Sequence, residues 1–334
     1  MAADRQIFIG TQDGLFRAQS NGKTSEATLL GLKGLGTVMY PVVDARDPRR
    51  IYAGTGLGGV YRSEDGGASW RETNQGILFR MIFSLAQNPA TGELFAGTEP
   101  ASVFKSTDGG ESWTDLPGVR ALPETYHWTF PNPPHVAHVK HIDVCGAVPD
   151  RILGAVEEGW VIRSVDAGKT WLNVKDHVEF DCHSVTSMPD DPTRVVATSG
   201  RGFFRSEDGG ASFEPSMEGL TCTYMTNVVV HPSRPRVLFT AAAAVPPPFW
   251  RRGGSANAGI FQSDDQGKTW RRLQGGLPET IDAAPRVVAG DPDEPDTFYI
   301  GFIDGSVWVT ENGGEEFRQI ITGLPPVRSL LIRR

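Results

Sequence analysis

The stretch Ser63-Glu-Asp-Gly-Gly-Ala-Ser-Trp70 decides the fold, because it returns as Ser106-Thr-Asp-Gly-Gly-Glu-Ser-Trp113, Ser164-Val-Asp-Ala-Gly-Lys-Thr-Trp171, Ser206-Glu-Asp-Gly-Gly-Ala-Ser-Phe213 and Ser263-Asp-Asp-Gln-Gly-Lys-Thr-Trp270. A sixth copy, Thr310-Glu-Asn-Gly-Gly-Glu-Glu-Phe317, is degenerate. The third positions, residues 65, 108, 166, 208, 265 and 312, recur at intervals of 43, 58, 42, 57 and 47 residues. That is the range of four-stranded propeller blades, two of them carrying insertions. Each octapeptide has the chemistry of a hairpin turn. The Asp carboxylate accepts backbone N–H groups, the glycine supplies positive φ, and the aromatic plugs between neighbouring sheets.

Working outward, a short strand precedes each copy, as in Gly59-Val-Tyr-Arg62 and Gly202-Phe-Phe-Arg205. Another precedes that, as in Arg50-Ile-Tyr-Ala-Gly54 and Glu93-Leu-Phe-Ala-Gly97, and an apolar strand comes earlier still, as in Val228-Val-Val230. These are strands A, B and C of a blade, with D after the octapeptide. Seven A strands are expected near residues 38–45, 80–87, 139–146, 183–188, 225–231, 285–290 and 327–332. The last, ending Leu330-Leu-Ile-Arg333, has no B strand of its own, whereas Gln6-Ile-Phe-Ile-Gly10 and Gly14-Leu-Phe-Arg17 form a B–C pair with no A strand. The two ends therefore complete one blade and remove the open sheet edges. The expectation is an all-β, seven-bladed β-propeller forming a single domain over residues 1–334.

Composition agrees with many short strands and tight turns, with 39 glycines and 24 prolines and no collagen period. The formal net charge is −8 and no basic run exceeds the pairs Arg49-Arg50, Arg251-Arg252 and Arg333-Arg334. Nucleic acid is thereby excluded as an expected partner, since phosphate neutralisation needs clustered cations. The start, Met1-Ala-Ala-Asp-Arg-Gln, offers no apolar leader, and nowhere do 18 apolar residues run together, so neither secretion nor a membrane partner is expected. Cys145, Cys182 and Cys222 make an odd number in a chain able to bury its own core, which predicts a reducing, cytoplasmic setting. A monomer with a small-molecule ligand is the expected assembly.

In a propeller the D–A and B–C connections share the face around the channel mouth, so extra residues there point to a site. One insertion, Leu116 to Lys140, joins blades three and four; the other, Val245 to Ala258, is the B–C loop of blade six. The first carries His127, His135 and His138, with His141 just after it. The B–C loop of blade four adds Glu157-Glu158, and the next D–A loop adds Asp181-Cys182-His183. His135, His138, Glu157 and His183 form a candidate set for one divalent metal, Zn, Mn or Fe, because imidazole and carboxylate suit those ions. A metal-free polar pocket and histidines of purely structural use remain open beside it. His138, Glu157 and His183 are the candidate catalytic residues. Arg80, Trp128, Arg201, Tyr224, Trp250 and Arg286 are the candidates for holding the ligand, Trp128 and Trp250 as loop aromatics over the mouth. Cys182 is no nucleophile beside His183, since adjacent strand residues point to opposite faces.

The octapeptides resemble those of the Asp-box, or bacterial neuraminidase repeat, families, which include sialidases, sortilin-type receptors, two-domain xyloglucanases and photosystem assembly factors. The resemblance implies that the octapeptides lie on the face away from the active site and serve folding. Over nearly its whole length the chain is also similar to an exo-sialidase-like, repeat-containing bacterial subgroup. That similarity rests on Trp128-Thr-Phe-Pro, Pro134-His-Val-Ala-His-Val, the Glu157-Glu-Gly turn, Asp181-Cys-His183, Ser199-Gly-Arg-Gly202 and the loop ending Phe249-Trp250. Arg80, Arg286 and Arg328, each near the start of an A strand, invite comparison with the arginine trio by which sialidases hold a carboxylate. Phe79-Arg-Met-Ile82 echoes the sialidase Phe-Arg-Ile-Pro motif without its proline, and such arginines also seal neighbouring blades. Three functions follow as expectations: a hydrolase or lyase for a small anionic or sugar-like molecule, a sialidase-like glycosidase drawing on carboxylates such as Glu99, Glu157 and Asp304, or a non-catalytic binding and assembly propeller.

Overall fold

The structure, a computed structural model, describes residues 5–20, 25–250 and 252–333. The leader reading at Met1 to Asp4, and Arg251 and Arg334 of the basic pairs, lie outside the described residues. Seven four-stranded antiparallel sheets form the blades of a propeller. Blade one joins the two ends of the chain: its strands run, from the innermost outward, Val327–Arg333, Arg5–Thr11, Gly14–Ser20 and Ala27–Gly31. Ile7 pairs with Ile332 and Ile9 with Leu330, so the first and last strands close the ring as the sequence predicts. Blades two to seven each follow chain order from the channel outward, with innermost strands Val38–Val43, Met81–Gln87, His138–Val144, Cys182–Ser187, Tyr224–Val230 and Pro285–Gly290.

The octapeptides form the turn between strands C and D. In the first, Ser63 Oγ donates to Asp65 Oδ1 and accepts from the Gly67 N–H at 2.8 Å each, while Asp65 takes the Ser69 N–H at 2.8 Å and the Ser69 hydroxyl at 2.6 Å. Asn312 keeps the frame in the degenerate copy, accepting from Thr310 Oγ1 at 2.9 Å and from the Glu316 N–H at 3.0 Å. The first glycine of the turn is left-handed, as at Gly66 with φ 76°. The terminal aromatic then enters the gap to the preceding blade. Trp113 of blade three packs among Tyr52, Val60 and Phe104 and donates its indole N–H to the Thr73 carbonyl of blade two at 2.8 Å. Trp171, Phe213, Trp270 and Phe317 repeat the insertion around the ring. Buried apolar residues accordingly fall into seven clusters, one for each pair of adjacent blades.

One further regularity positions the site. In every blade the pairing of the innermost strand with its neighbour slips by one residue near the same end. The extra residue is Arg328 in blade one, Phe83 in blade three, Lys140 in blade four, His183 in blade five and Arg286 in blade seven. In blades two and six the slip spans Tyr40-Pro41 and Thr226-Asn227. Such a bulge breaks the two-residue alternation and re-aims a side chain, here toward the channel.

Removing the plug by Trp113→Ala is expected to cost about 3–5 kcal/mol, read by chemical denaturation. The turns also make stability acid-sensitive. Hydrogen bonds from Ser69 and Thr170 hold Asp65 and Asp166 down to about 2, below the ordinary value of 3.8. A depressed folded-state pKa stabilises the fold above the unfolded value and loses that contribution as pH falls through the folded one. Unfolding should therefore become easier between about pH 4 and pH 2, and Asp65→Asn/Asp166→Asn should flatten that dependence.

Candidate functional site

The bulged side chains meet at the end of the channel bounded by the D–A and B–C connections. A cavity of about 460 Å³ opens there, the size of a small-molecule site. Arg328, Tyr40, Phe83, Lys140, Thr226 and Arg286 line it from six blades. The first insertion adds Phe130 and Asn132, and Glu157 and His138 form part of the wall. His183, bulged from the seventh blade contributing here, blade five, is fully buried beside Glu157.

Glu157 is the centre of an ionic cluster. It ends the second strand of blade four, directly opposite His138 in the register. His138 Nε2 lies 2.7 Å from Glu157 Oε2, and Lys140 Nζ lies 2.8 Å from the same oxygen. The His138 ring is stacked on Phe83, with centroids 3.6 Å apart, and meets the edge of Phe130 at 5.0 Å. Its Nδ1 stands 3.2 Å from Glu99 Oε2 without the alignment of a hydrogen bond. His183 donates through Nδ1 to the Met225 carbonyl of blade six. Its Nε2 then faces Asp181 Oδ1 at 3.1 Å and Glu157 Oε1 at 3.6 Å.

Charge states follow from burial and contact. Burial alone would raise the Glu157 carboxyl, but the Lys140 charge, the His138 hydrogen bond and the two histidines outweigh it and hold Glu157 well below the usual range. Burial lowers the Lys140 ammonium, with Arg286 acting in the same direction and Glu157 opposing. For His138, burial is overcome by Glu157 and Glu99, which raise it. Burial pushes the Tyr40 hydroxyl up to about 12, against the pull of Arg286. Arg286 and Arg328 are the cavity's remaining charges, and the buried Nε of Arg286 has no hydrogen-bond partner among the described residues.

The structure thus brings His138, Glu157, His183 and Arg286 together, with Tyr224 edge-on to the His183 ring at 4.9 Å. Other sequence candidates fall elsewhere. His135 is exposed, at φ 63°, with Nδ1 on the Phe130 carbonyl at 2.8 Å. It braces its own loop and is absent from the ligand-distance group of Glu157, Asp181 and His183. Two residues separate it from His138, and side chains three positions apart align on a helix but not along a strand. Arg80 is half-exposed and paired with Glu72, because blade three presents Phe83 to the channel in its place. The arginine trio is therefore a pair. Arg201 is 79% exposed and lies 3.6 Å from Glu179.

The two tryptophans do not cover the mouth. Trp128 packs against the core between blades three and four. Trp250 ends a helical turn, Pro247–Trp250, and is buried in the core between blades six and seven, where its indole N–H donates to the Val245 carbonyl at 3.0 Å. Its ring meets Tyr224, so the second insertion braces His183 from behind. Cys182 is fully buried, with Sγ directed at the Ser184 and Thr198 carbonyls, away from the His183 ring. Sequence reading missed Lys140 and Phe83, and gave Asp181 no role. Their signal is positional, since each sits at or beside a bulge, and a lysine in the inner strand His138–Val144 was the visible trace.

No family model matches the chain. It is 28% identical over 167 residues to a probable oligoxyloglucan-reducing end-specific xyloglucanase of Neosartorya fischeri, a match that covers 45% of this chain and 19% of the relative. The matched segment is thus about a fifth of that protein's length. Among solved structures, the GH74 xyloglucanase of Xanthomonas campestris superposes with a TM-score of 0.70 at 17% identity, covering 96% of this chain and 51% of that one. YCF48 from Cyanidioschyzon merolae gives a TM-score of 0.60 at 14% identity, covering 88% and 89%. At such identities the structures share the fold.

Replacing Glu157 tests whether the cluster is held by charge. Glu157→Ala leaves Lys140 and His138 buried without their shared acceptor, and should destabilise the fold by about 3–5 kcal/mol in urea titration. A loss under about 1 kcal/mol would mean that the three groups are not coupled as described.

Proposed function

We propose that the protein is a hydrolase or lyase acting on a small anionic, sugar-like molecule bound in the channel cavity. The observation that carries this reading is the charge balance of the wall. Glu157 is the lining carboxylate and is already engaged by Lys140 and His138, so Arg286 and Arg328 tip the lining toward positive charge. Guanidinium groups in a half-enclosed site favour a carboxylate or phosphate. Phe83 and Phe130 supply the apolar surface on which a sugar ring can lie. At the polar end, Lys140 and His138 keep Glu157 ionised, a fixed negative charge that can steady the positive charge developing on a sugar ring as its glycosidic bond breaks. The xyloglucanase relative supports a sugar-acting hydrolase at the coarse level, and its substrate is not transferred to this chain.

A binding propeller without turnover is the second reading, favoured by the exposed rings of Tyr126 and Phe249 in the two insertions. Assaying a panel of aryl glycosides, uronides and sugar-acid esters separates the two. Turnover is expected for an anionic member, with Arg286→Gln raising KM at least ten-fold and changing kcat less. Saturable binding of an anionic sugar without any conversion would replace the enzyme by the binding module. Failure of folded protein to bind any anionic member at millimolar concentration would overturn both.

A further inference from the structure

Two carboxylate oxygens converge on one buried imidazole nitrogen behind the cavity wall. Nδ1 of His183 faces the Met225 carbonyl and so carries the ring hydrogen, which leaves Nε2 aimed between Asp181 Oδ1 and Glu157 Oε1. We propose that Glu157, Asp181 and His183 bind one divalent first-row cation, Zn²⁺ or Mn²⁺. This deepens the hydrolase or lyase reading and rests on it for its purpose, though not for its chemistry.

The geometry supports the assignment in three ways. Metal–ligand bonds of about 2.0–2.2 Å place neighbouring tetrahedral donors about 3.3–3.6 Å apart. The observed separations from Nε2 are 3.1 and 3.6 Å, and one donor atom from each residue falls within 4.8 Å of the others. Second, a proton on Nε2 would satisfy Asp181 but not Glu157, since 3.6 Å is too long for a hydrogen bond. Both hydrogen-bond-length contacts to Glu157, from His138 and Lys140, fall on Oε2, so Oε1 is left to a cation. Third, the surroundings are built for it. A ligating histidine commonly donates its other N–H to a backbone carbonyl, as His183 does to Met225. Gly200 pairs with Asp181 where Glu157 pairs with His138 one blade earlier, and a Cβ at Gly200 would come within 2.2 Å of Asp181 Oδ2. The absence of a side chain there makes room for the carboxylate.

Three protein donors leave a coordination position for water or substrate, the arrangement of catalytic rather than structural sites. Asp181 is one-quarter exposed, which gives the cation a route of entry. The test uses the full chain stripped with chelator and titrated with ZnCl₂ and MnCl₂ by calorimetry. One cation per chain is expected, with Asp181→Asn and His183→Gln each weakening binding at least ten-fold and exposed His135→Ala changing it less than two-fold. Asp181→Asn is isosteric and partly exposed, so it keeps the test decisive if His183→Gln does not fold, which thermal melting reports. Folded protein that takes up neither ion, or an Asp181→Asn variant that binds as tightly as the parent, overturns the site. Loss of the site with turnover intact in chelator would leave the functional reading standing, whereas binding without turnover would leave the cation and remove the enzyme.

Discussion

A single extra residue in the innermost strand of every blade is the constraint on which the site depends. Strand side chains alternate between the two faces of a sheet, and in a propeller both faces are covered by neighbouring blades. A regular inner strand would therefore spend its side chains on the inter-blade cores and present only backbone to the channel. The slip in register frees one side chain per blade from that duty. Seven bulges thus create a ring of positions whose chemistry is independent of packing. Its composition is uneven: cationic from blades seven and one, aromatic from two and three, ionic and imidazole from four and five.

The octapeptide turns free the site from carrying the fold. Their side-chain hydrogen bonds and inserted aromatics lock each of blades two to seven to the one before it, at the turn between strands C and D. Even the insertions divide the work. The first reaches the cavity through Phe130 and Asn132, while the second is tied into the core by Trp250 and reaches the site only through Tyr224.

The blade count, the shared closing blade and the turn chemistry were all legible in the sequence because they follow from repetition and from local residue preferences. The face of the site was legible for the same reason, and with it His138, Glu157 and His183. The particular neighbours were not. A bulge leaves no local signature, so strict alternation hid Lys140 and Phe83 and suggested that Arg80 shares the role of Arg286. Loop position proved a poor guide to exposure: Trp250 lies in a proline-rich insertion yet is 7% exposed, because the loop folds back as a helical turn onto the blade edge. His135 shows the reverse, being close to His138 in sequence while its ring is committed to the backbone of its own loop.

The internal repeat also answers whether the ionic cluster serves the fold. The register position that Glu157 fills in blade four is Gln12 in blade one, Thr55 in blade two, Glu99 in blade three, Gly200 in blade five, Ala243 in blade six and Ile303 in blade seven. Its partner position, filled by His138, is Pro326, Val38, Met81, Asp181, Tyr224 and Ala284 in the same order. Blades one, two, six and seven therefore close with uncharged pairs at this position, and these carry none of the desolvation cost of buried charge. A buried ion cluster is in general no more stabilising than well-packed apolar residues in its place. Blades three, four and five depart from the uncharged solution together, and they do so where Glu99 faces His138 and Glu157 faces His183 across the two junctions. A departure confined to three consecutive blades, at the wall of the cavity, is what a chemical role for the cluster requires and what the folding of the ring does not.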